Sequence, residues 1–219
     1  MGSLPDFDSA YQGEPLAEGV ADVPWNIGEP QPAIAALVEA GWVRSPVLDA
    51  GCGIGATVLD LAARGYEVVG LDAASAAVDQ ARAAIRDRGL SAEVEVADIS
   101  DFTGYDGRFA TVVDSTLFHS MPVNRRAGYL AAIARASQPG AVLHVLVFDV
   151  TAPFPDDVRP NAVSAEELRE AVAPFWTVDM IRPSAIHAYT PPEWGPDLPL
   201  DGDGRRMLPA HLLTAHLPS

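Results

Sequence analysis

Residues 49–55, Asp-Ala-Gly-Cys-Gly-Ile-Gly, start at the end of the short stretch Val47-Leu48-Asp49 and lead into a run with apolar residues at Val58, Leu59, Leu61 and Ala62. Few patterns limit a fold more. The short stretch reads as a buried strand and the run as a helix, and glycine lets the backbone turn tightly between them. A strand leading through glycines into a helix opens a βαβ unit, whose crossover is right-handed. The helix start offers unpaired N–H groups, and bare backbone at Gly51 and Gly53 admits a ligand closely.

The alternation continues downstream. Strands are predicted at 66–71, 93–96, 109–113 and 141–148, with helices at 75–88 (stopped by Gly89) and 125–137 between them. An earlier helix starts at Pro30 or Pro32 and runs to Gly41. Ser164 and Glu167 have the spacing of a capping box that opens one more helix. A strand follows at 175–181, and 211–216 reads as a last, antiparallel strand. The stretch 183–209 is rich in Pro, Gly and Asp and is predicted as a long functional loop. The fold class is α/β: a single domain built on a Rossmann-like, doubly wound, mostly parallel sheet with an antiparallel edge strand. Residues 1–32 precede that domain, which spans 33–219.

Charge narrows the ligand. The chain carries 30 acidic against 14 basic side chains, a formal charge of −16, and every basic residue is arginine. Nucleic-acid binding needs a basic face, so a nucleic-acid partner is not expected, nor is an anionic membrane. No apolar run approaches the ~20 residues of a membrane helix, and no basic n-region precedes an apolar one. The reading is a soluble, cytoplasmic chain, monomer or homodimer. Its one cysteine, Cys52, excludes an intrachain disulfide, and five scattered histidines indicate no metal site. Cys52 reads as a small loop residue.

The glycine pattern by itself also fits a dinucleotide: Gly51, Gly53 and Ala56 satisfy G-x-G-x-x-[GA]. Three acids decide between the ligands. Asp49, two residues before Gly51, would repel a pyrophosphate and suits an ammonium or sulfonium. Asp72 ends the second strand, where a carboxylate accepts from ribose hydroxyls. Asp98, in Ala97-Asp98-Ile99 after the third strand, is placed to accept from an adenine amine. A ligand with an amine, a ribose and an adenine but no phosphate is S-adenosylmethionine, with S-adenosylhomocysteine as product. A dinucleotide-dependent oxidoreductase remains the rival reading, as does a regulator that keeps the nucleotide pocket without chemistry.

On these motifs the chain resembles the class I S-adenosylmethionine-dependent methyltransferases, and within them the thiopurine-methyltransferase-like branch. It is most similar to the bacterial heterocyclic toxin methyltransferases, which act on 2-heptyl-1-hydroxyquinolin-4-one and related heterocycles. Residues 24–32 (Pro-Trp-Asn-Ile-Gly-Glu-Pro-Gln-Pro), 114–120 (Asp-Ser-Thr-Leu-Phe-His-Ser) and 182–188 (Arg-Pro-Ser-Ala-Ile-His-Ala) carry the narrower likeness. The resemblance implies a seven-stranded sheet and methyl transfer to an oxygen or ring nitrogen of a small aromatic heterocycle, in detoxification or secondary metabolism. A thiol or halide methyltransferase is the alternative. Residues 1–32 would act as a lid, with Trp25 on the methionine portion and Tyr11 at its carboxylate. Ala73 and Ile99, beside two of the acids, and Asp114 at the fourth strand's end complete the expected cofactor contacts.

Absences support a small acceptor. No Asn/Asp-Pro-Pro-Tyr/Phe follows the fourth strand, and no Pro-Cys nucleophile or arginine-type glutamate pair is present. A hydroxyl acceptor must lose a proton, and His119 is the candidate base; for an acceptor already ionised it would only orient. His144, inside an apolar strand, reads as structural. Phe118, Met121, Phe148 and His187 are the expected acceptor contacts, with Phe154, Tyr189 and Trp194 as further apolar candidates.

Overall fold

The computed structural model describes residues 7–14, 23–156 and 158–219. Seven strands form one sheet: β1 (Val47–Ala50), β2 (Val68–Asp72), β3 (Glu93–Val96), β4 (Phe109–Ser115), β5 (Ser137–Phe148), β6 (Thr177–Ala188) and β7 (Arg206–His216). Their order is β3-β2-β1-β4-β5-β7-β6. The first five strands pair in parallel, and β7 runs antiparallel to both β5 and β6. This is the expected doubly wound, mostly parallel sheet. The antiparallel strand sits one place in from the end, with β6 outside it.

Period-two side-chain alternation loads both faces. Leu143, Val145 and Val147 join one core cluster with Leu48, Ala50, Tyr129, Leu168 and Trp176. Leu146 and Phe148 join the other with Ile34, Val38, Val58, Val78 and Ile85. The helices are α1 (Phe7–Tyr11), α2 (Pro32–Glu39), α3 (Ala56–Ala63), α4 (Ser75–Asp87), α5 (Arg126–Ala136) and α6 (Ala165–Val172). In α4 the buried residues Ala77, Val78, Ala81 and Ile85 keep helical spacing. α2 begins at Pro32, whose missing N–H is one the first turn leaves unpaired anyway. Ser164 caps α6 with the reciprocal Glu167 bond that its spacing predicts.

The expected loop at 183–209 is corrected. Strand β6 extends through Ala188 and β7 starts at Arg206, leaving 189–205 as the connection. Pro183 is tolerated because β6 is an edge strand, and Pro209 lies past the last β5 rung, Phe148↔Ala210. Two prolines that read as loop punctuation are therefore inside a hairpin.

The topology locates the site. Strand order reverses between β1 and β4, and open α/β sheets bind ligands beyond the strand ends at that reversal. Of the N-terminal segment, α1 docks on α4: Asp8 Oδ1 accepts from the Ala76 N–H (3.0 Å) and the Ser75 hydroxyl (3.3 Å), capping α4, and the Gln80 amide donates to the Tyr11 carbonyl. The expected lid at 1–32 falls partly outside the described residues.

Candidate active site

A cavity of about 430 Å³ opens at the switch point. Its walls bring together nine of the residues expected at the cofactor, Tyr11, Trp25, Asp49, Gly51, Gly53, Asp72, Ala73, Asp98 and Ile99, together with Met121 from the expected acceptor contacts.

The glycine loop is shaped by close approach. Gly51 has φ +70°, and a Cβ there would lie 2.8 Å from Leu117 of the loop after β4. At Gly53, with φ +53°, a Cβ would meet the Tyr11 hydroxyl at 2.8 Å. Both the backbone angle and the space require glycine. Cys52 is buried and its thiol pKa is pushed up by burial, as a loop-filling residue requires.

The three acids have different environments. Asp72 Oδ2 accepts from the Gly53 N–H (2.8 Å) and Oδ1 from the Ala74 N–H (2.9 Å), so the ribose acid also fixes the glycine loop. Asp98 accepts from the Ser100 N–H and hydroxyl and from Arg125 at 2.7 Å, and these bonds hold its pKa below the usual range. Asp49 is 2% exposed and, among the described residues, has no hydrogen-bond donor. Burial, then the neighbouring Asp72 and Asp114, push its pKa to about 8. A buried carboxyl without a donor, facing a cavity, is a site for a cation.

Asp114 corrects one expectation. It does not line the cavity: Oδ1 accepts from the Leu117 N–H (2.9 Å) and Phe118 N–H (3.2 Å), and Oδ2 from the Tyr129 hydroxyl (2.8 Å). Its carboxylate holds the 115–118 loop in shape. Phe118 is likewise interior, packed on Tyr129 and under the Arg126 guanidinium. Phe148 is fully buried against His119, Phe154 and Trp25.

His119 is also away from the cavity wall and fully buried. Its Nδ1 accepts the Phe148 N–H at 3.2 Å, so the neutral ring carries its proton on Nε2, which has no partner. Burial, then Arg126, lower its pKa to about 3. A ring with its lone pair already engaged is a donor, not a base, and the expectation of proton abstraction by His119 is corrected accordingly.

His187 does not line the cavity either, because an ion-pair cluster captures it. Its Nδ1 bonds Asp201 at 2.7 Å, and Arg205 binds Asp201 (2.6 Å), Glu29 (2.5 Å) and Asp203 (2.7 Å). The Gln31 side chain completes the tie, accepting from the His187 N–H and donating to the His187 and Trp25 carbonyls. The β6–β7 connection thus pins the Trp25–Gln31 segment, which forms one cavity wall. Arg205→Ala is expected to raise the acceptor KM about tenfold with little change in S-adenosylhomocysteine affinity, read by steady-state kinetics and calorimetry.

Asn26, Glu29, Gln31, Thr116, Ser120 and Arg125 also line the cavity; all but Arg125 lie in the 24–32 and 114–120 stretches, but none has a role of its own readable from the sequence. The two histidines of β7 each stand against a carboxylate: His211 Nε2 lies 2.5 Å from Asp149, and His216 Nδ1 lies 2.8 Å from Asp179.

A cavity at the reversal of a doubly wound sheet, with acids at three successive strand ends and its arginine already paired to one of them, defines an enzyme for a cationic nucleoside donor. Known proteins agree. Residues 47–140 match the model of a methyltransferase domain. The chain is 54% identical over 183 residues, 83% of its length and 81% of the relative's, to 2-heptyl-1-hydroxyquinolin-4(1H)-one methyltransferase of Mycobacteroides abscessus. A solved structure described under conversion of a disulfide bond into a thioacetal group during echinomycin biosynthesis superposes with TM-score 0.83 at 36% identity, over 97% of this chain and 92% of that one. The fold is shared at 20% identity and TM-score 0.65 by 1,6-didemethyltoxoflavin-N1-methyltransferase of Burkholderia thailandensis, over 86% of this chain and 77% of that one. The chain belongs to the S-adenosylmethionine-dependent methyltransferases.

Proposed function

We propose that this methyltransferase methylates an oxygen or ring nitrogen of a small, flat aromatic heterocycle of the hydroxyquinolone kind. The observation that carries it is one continuous cavity with two chemistries. Asp49, Asp72 and Asp98 line it together with the apolar side chains of Trp25, Pro30, Leu117, Met121 and Pro122. The 54% identical relative, a hydroxyquinolone methyltransferase, supports the same acceptor class.

S-adenosylmethionine bound there supplies an electrophilic methyl group, the C–S electron pair staying on sulfur. Asp49 sits where a buried carboxylate holds the donor's positive end. Asp72 takes the ribose hydroxyls, and Asp98 with Ile99 the adenine edge. Ala73 lines the wall beside Asp72. Tyr11 and Trp25 close the cavity from the N-terminal side, so residues 1–32 act as the lid of a domain spanning 33–219. Their work is to exclude water and align acceptor with donor, the main demands of a displacement in which charge disperses.

No base is needed for an acceptor that arrives ionised, and His119 is left packed behind the cavity wall against Trp25 and Phe148. At saturating S-adenosylmethionine the pH–rate profile is therefore expected to follow the acceptor's own ionisation, with no limb near the ordinary imidazole pKa of about 6.5. A limb that persists when the acceptor is changed and disappears in His119→Asn would restore the base.

The test is transfer of labelled methyl from S-adenosylmethionine to 1-hydroxyquinolin-4-ones, phenols, a thiopurine and iodide, with products identified by mass. Label on a hydroxyquinolone oxygen or nitrogen is expected. Turnover confined to the thiopurine or iodide would overturn the heterocycle reading in favour of a thiol or halide enzyme.

A further inference from the structure

Thr116 has φ +80°, the one non-glycine residue with positive φ among the described residues. For a β-branched side chain this conformation is strained, and strain of this kind persists only where the surroundings impose it. They do so from every side. Asp114 grips the next two amides, Leu117 and Phe118. The Thr116 N–H donates to the Leu146 carbonyl (3.0 Å), and the Thr116 carbonyl accepts from the Ser120 hydroxyl (2.9 Å). Leu117 is pressed onto Gly51 so closely that a Cβ there would lie at 2.8 Å.

Glycine would satisfy the same turn without strain, so the loop's shape does not explain the threonine. The side chain does. Thr116 lines the cavity, and both its backbone groups are engaged. Its hydroxyl, on a residue only 8% exposed, has no hydrogen-bond partner among the described residues. Thr116 follows β4 directly, and its neighbour Leu117 packs on Gly51 of the glycine loop. Leu117, Ser120 and Met121 of the same loop share that wall.

We propose that Thr116 is an acceptor-contacting residue, its hydroxyl bonding the acceptor's heteroatom next to the one that receives the methyl group. This rests on the heterocycle reading above. A hydroxyl both donates and accepts, so it serves an oxyanion, a carbonyl or a ring nitrogen. The strained backbone is retained because it aims that hydroxyl.

The experiment compares wild type with Thr116→Gly and Thr116→Ser, using 2-heptyl-1-hydroxyquinolin-4-one as acceptor. Thr116→Gly is expected to raise Tm by about 2–4 °C, since relieving strain of this size shifts a chain this long by that amount. The same variant should lower acceptor kcat/KM about 10- to 100-fold, the loss of one buried hydrogen bond in the transition state. S-adenosylhomocysteine affinity should stay within about threefold, and Thr116→Ser, which restores the hydroxyl, should recover most of the loss. Thr116→Gly with raised Tm and undiminished kcat/KM overturns the inference, as does Thr116→Ser failing to recover what Thr116→Gly loses. A fall in S-adenosylhomocysteine affinity matching the loss in kcat/KM would overturn it too, by moving Thr116 to the donor. A wild type that binds S-adenosylhomocysteine but leaves the quinolone unmethylated overturns the heterocycle reading and this inference with it.

Discussion

Asp49→Asn is expected to weaken S-adenosylhomocysteine binding about 100-fold at pH 8, and to flatten the pH dependence of that binding while making the unliganded protein more heat-stable. The three effects have one cause. The carboxyl is buried without a donor and faces Asp72 and Asp114, which together with burial hold its pKa near 8. Below that pH it is mostly neutral, and an arriving ammonium must first see it ionise. Wild-type affinity should therefore rise about tenfold per pH unit up to about 8 and then level, with a proton released on binding. Asparagine has no proton to give, so the loss it causes shrinks as pH falls.

The stability sign follows from the same shift. Asp49 titrates near 8 when folded and near the ordinary 3.8 when unfolded. Between those values the folded state holds the extra proton, so this group's contribution is full below about 4 and is lost as pH rises through 8. Removing the carboxyl removes that loss. The Tm advantage of Asp49→Asn should be at least about 3 °C at pH 8 and vanish near pH 4. Calorimetric titration and thermal melts across pH 5–9 measure both. Wild-type affinity that stays constant from pH 6 to 8 contradicts the assignment.

Asp114→Ala is expected to be the most destabilising single change in the site. It strands three donors, the half-buried Leu117 N–H and the buried Phe118 N–H and Tyr129 hydroxyl. At about 1–3 kcal/mol for each donor left unsatisfied, and with partial relaxation, the cost is about 3–5 kcal/mol. For a chain this long that lowers Tm by about 10 °C. Tyr129→Phe removes only one of the three bonds and should cost about 1–2 kcal/mol. The loop at 115–118 should also lose amide-exchange protection in Asp114→Ala before the sheet does. A melt within about 3 °C of wild type would show that the carboxyl does not hold the loop.

The sequence carries much of this design because the strongest local signals coincide with the strand ends. Glycines at 51 and 53 and acids at 49, 72 and 98 are read directly, since a turn needs glycine and a cationic nucleoside needs carboxylates. The capping box at Ser164 is legible for the same local reason. The β6–β7 hairpin is less so. Its prolines break the alternation that marks a strand, and only the pairing partners reveal that Pro183 stands on an edge.

Side-chain roles behind the strand ends depend on tertiary partners. Asp114 turns inward because Tyr129, fifteen residues on, supplies a donor. His119 loses its role as base because the Phe148 N–H occupies Nδ1. The Arg205–Glu29 pair closes 176 residues of chain, a contact no local pattern contains. Thr116 falls within the 114–120 stretch, but the sequence does not distinguish it from its neighbours there; its backbone angle and cavity position do.

The most direct measurement is a crystal structure of the protein with S-adenosylhomocysteine and 2-heptyl-1-hydroxyquinolin-4-one. The expected result places the amino-acid end of the nucleoside at Asp49, its ribose on Asp72, and the quinolone against Trp25, Met121 and Thr116. The acceptor oxygen or nitrogen should stand in line with sulfur, with room for a methyl group about 3–3.5 Å from the attacking atom. A quinolone seated outside this cavity, or a nucleoside whose charged end lies away from Asp49, would contradict the assignment of donor and acceptor to this one site.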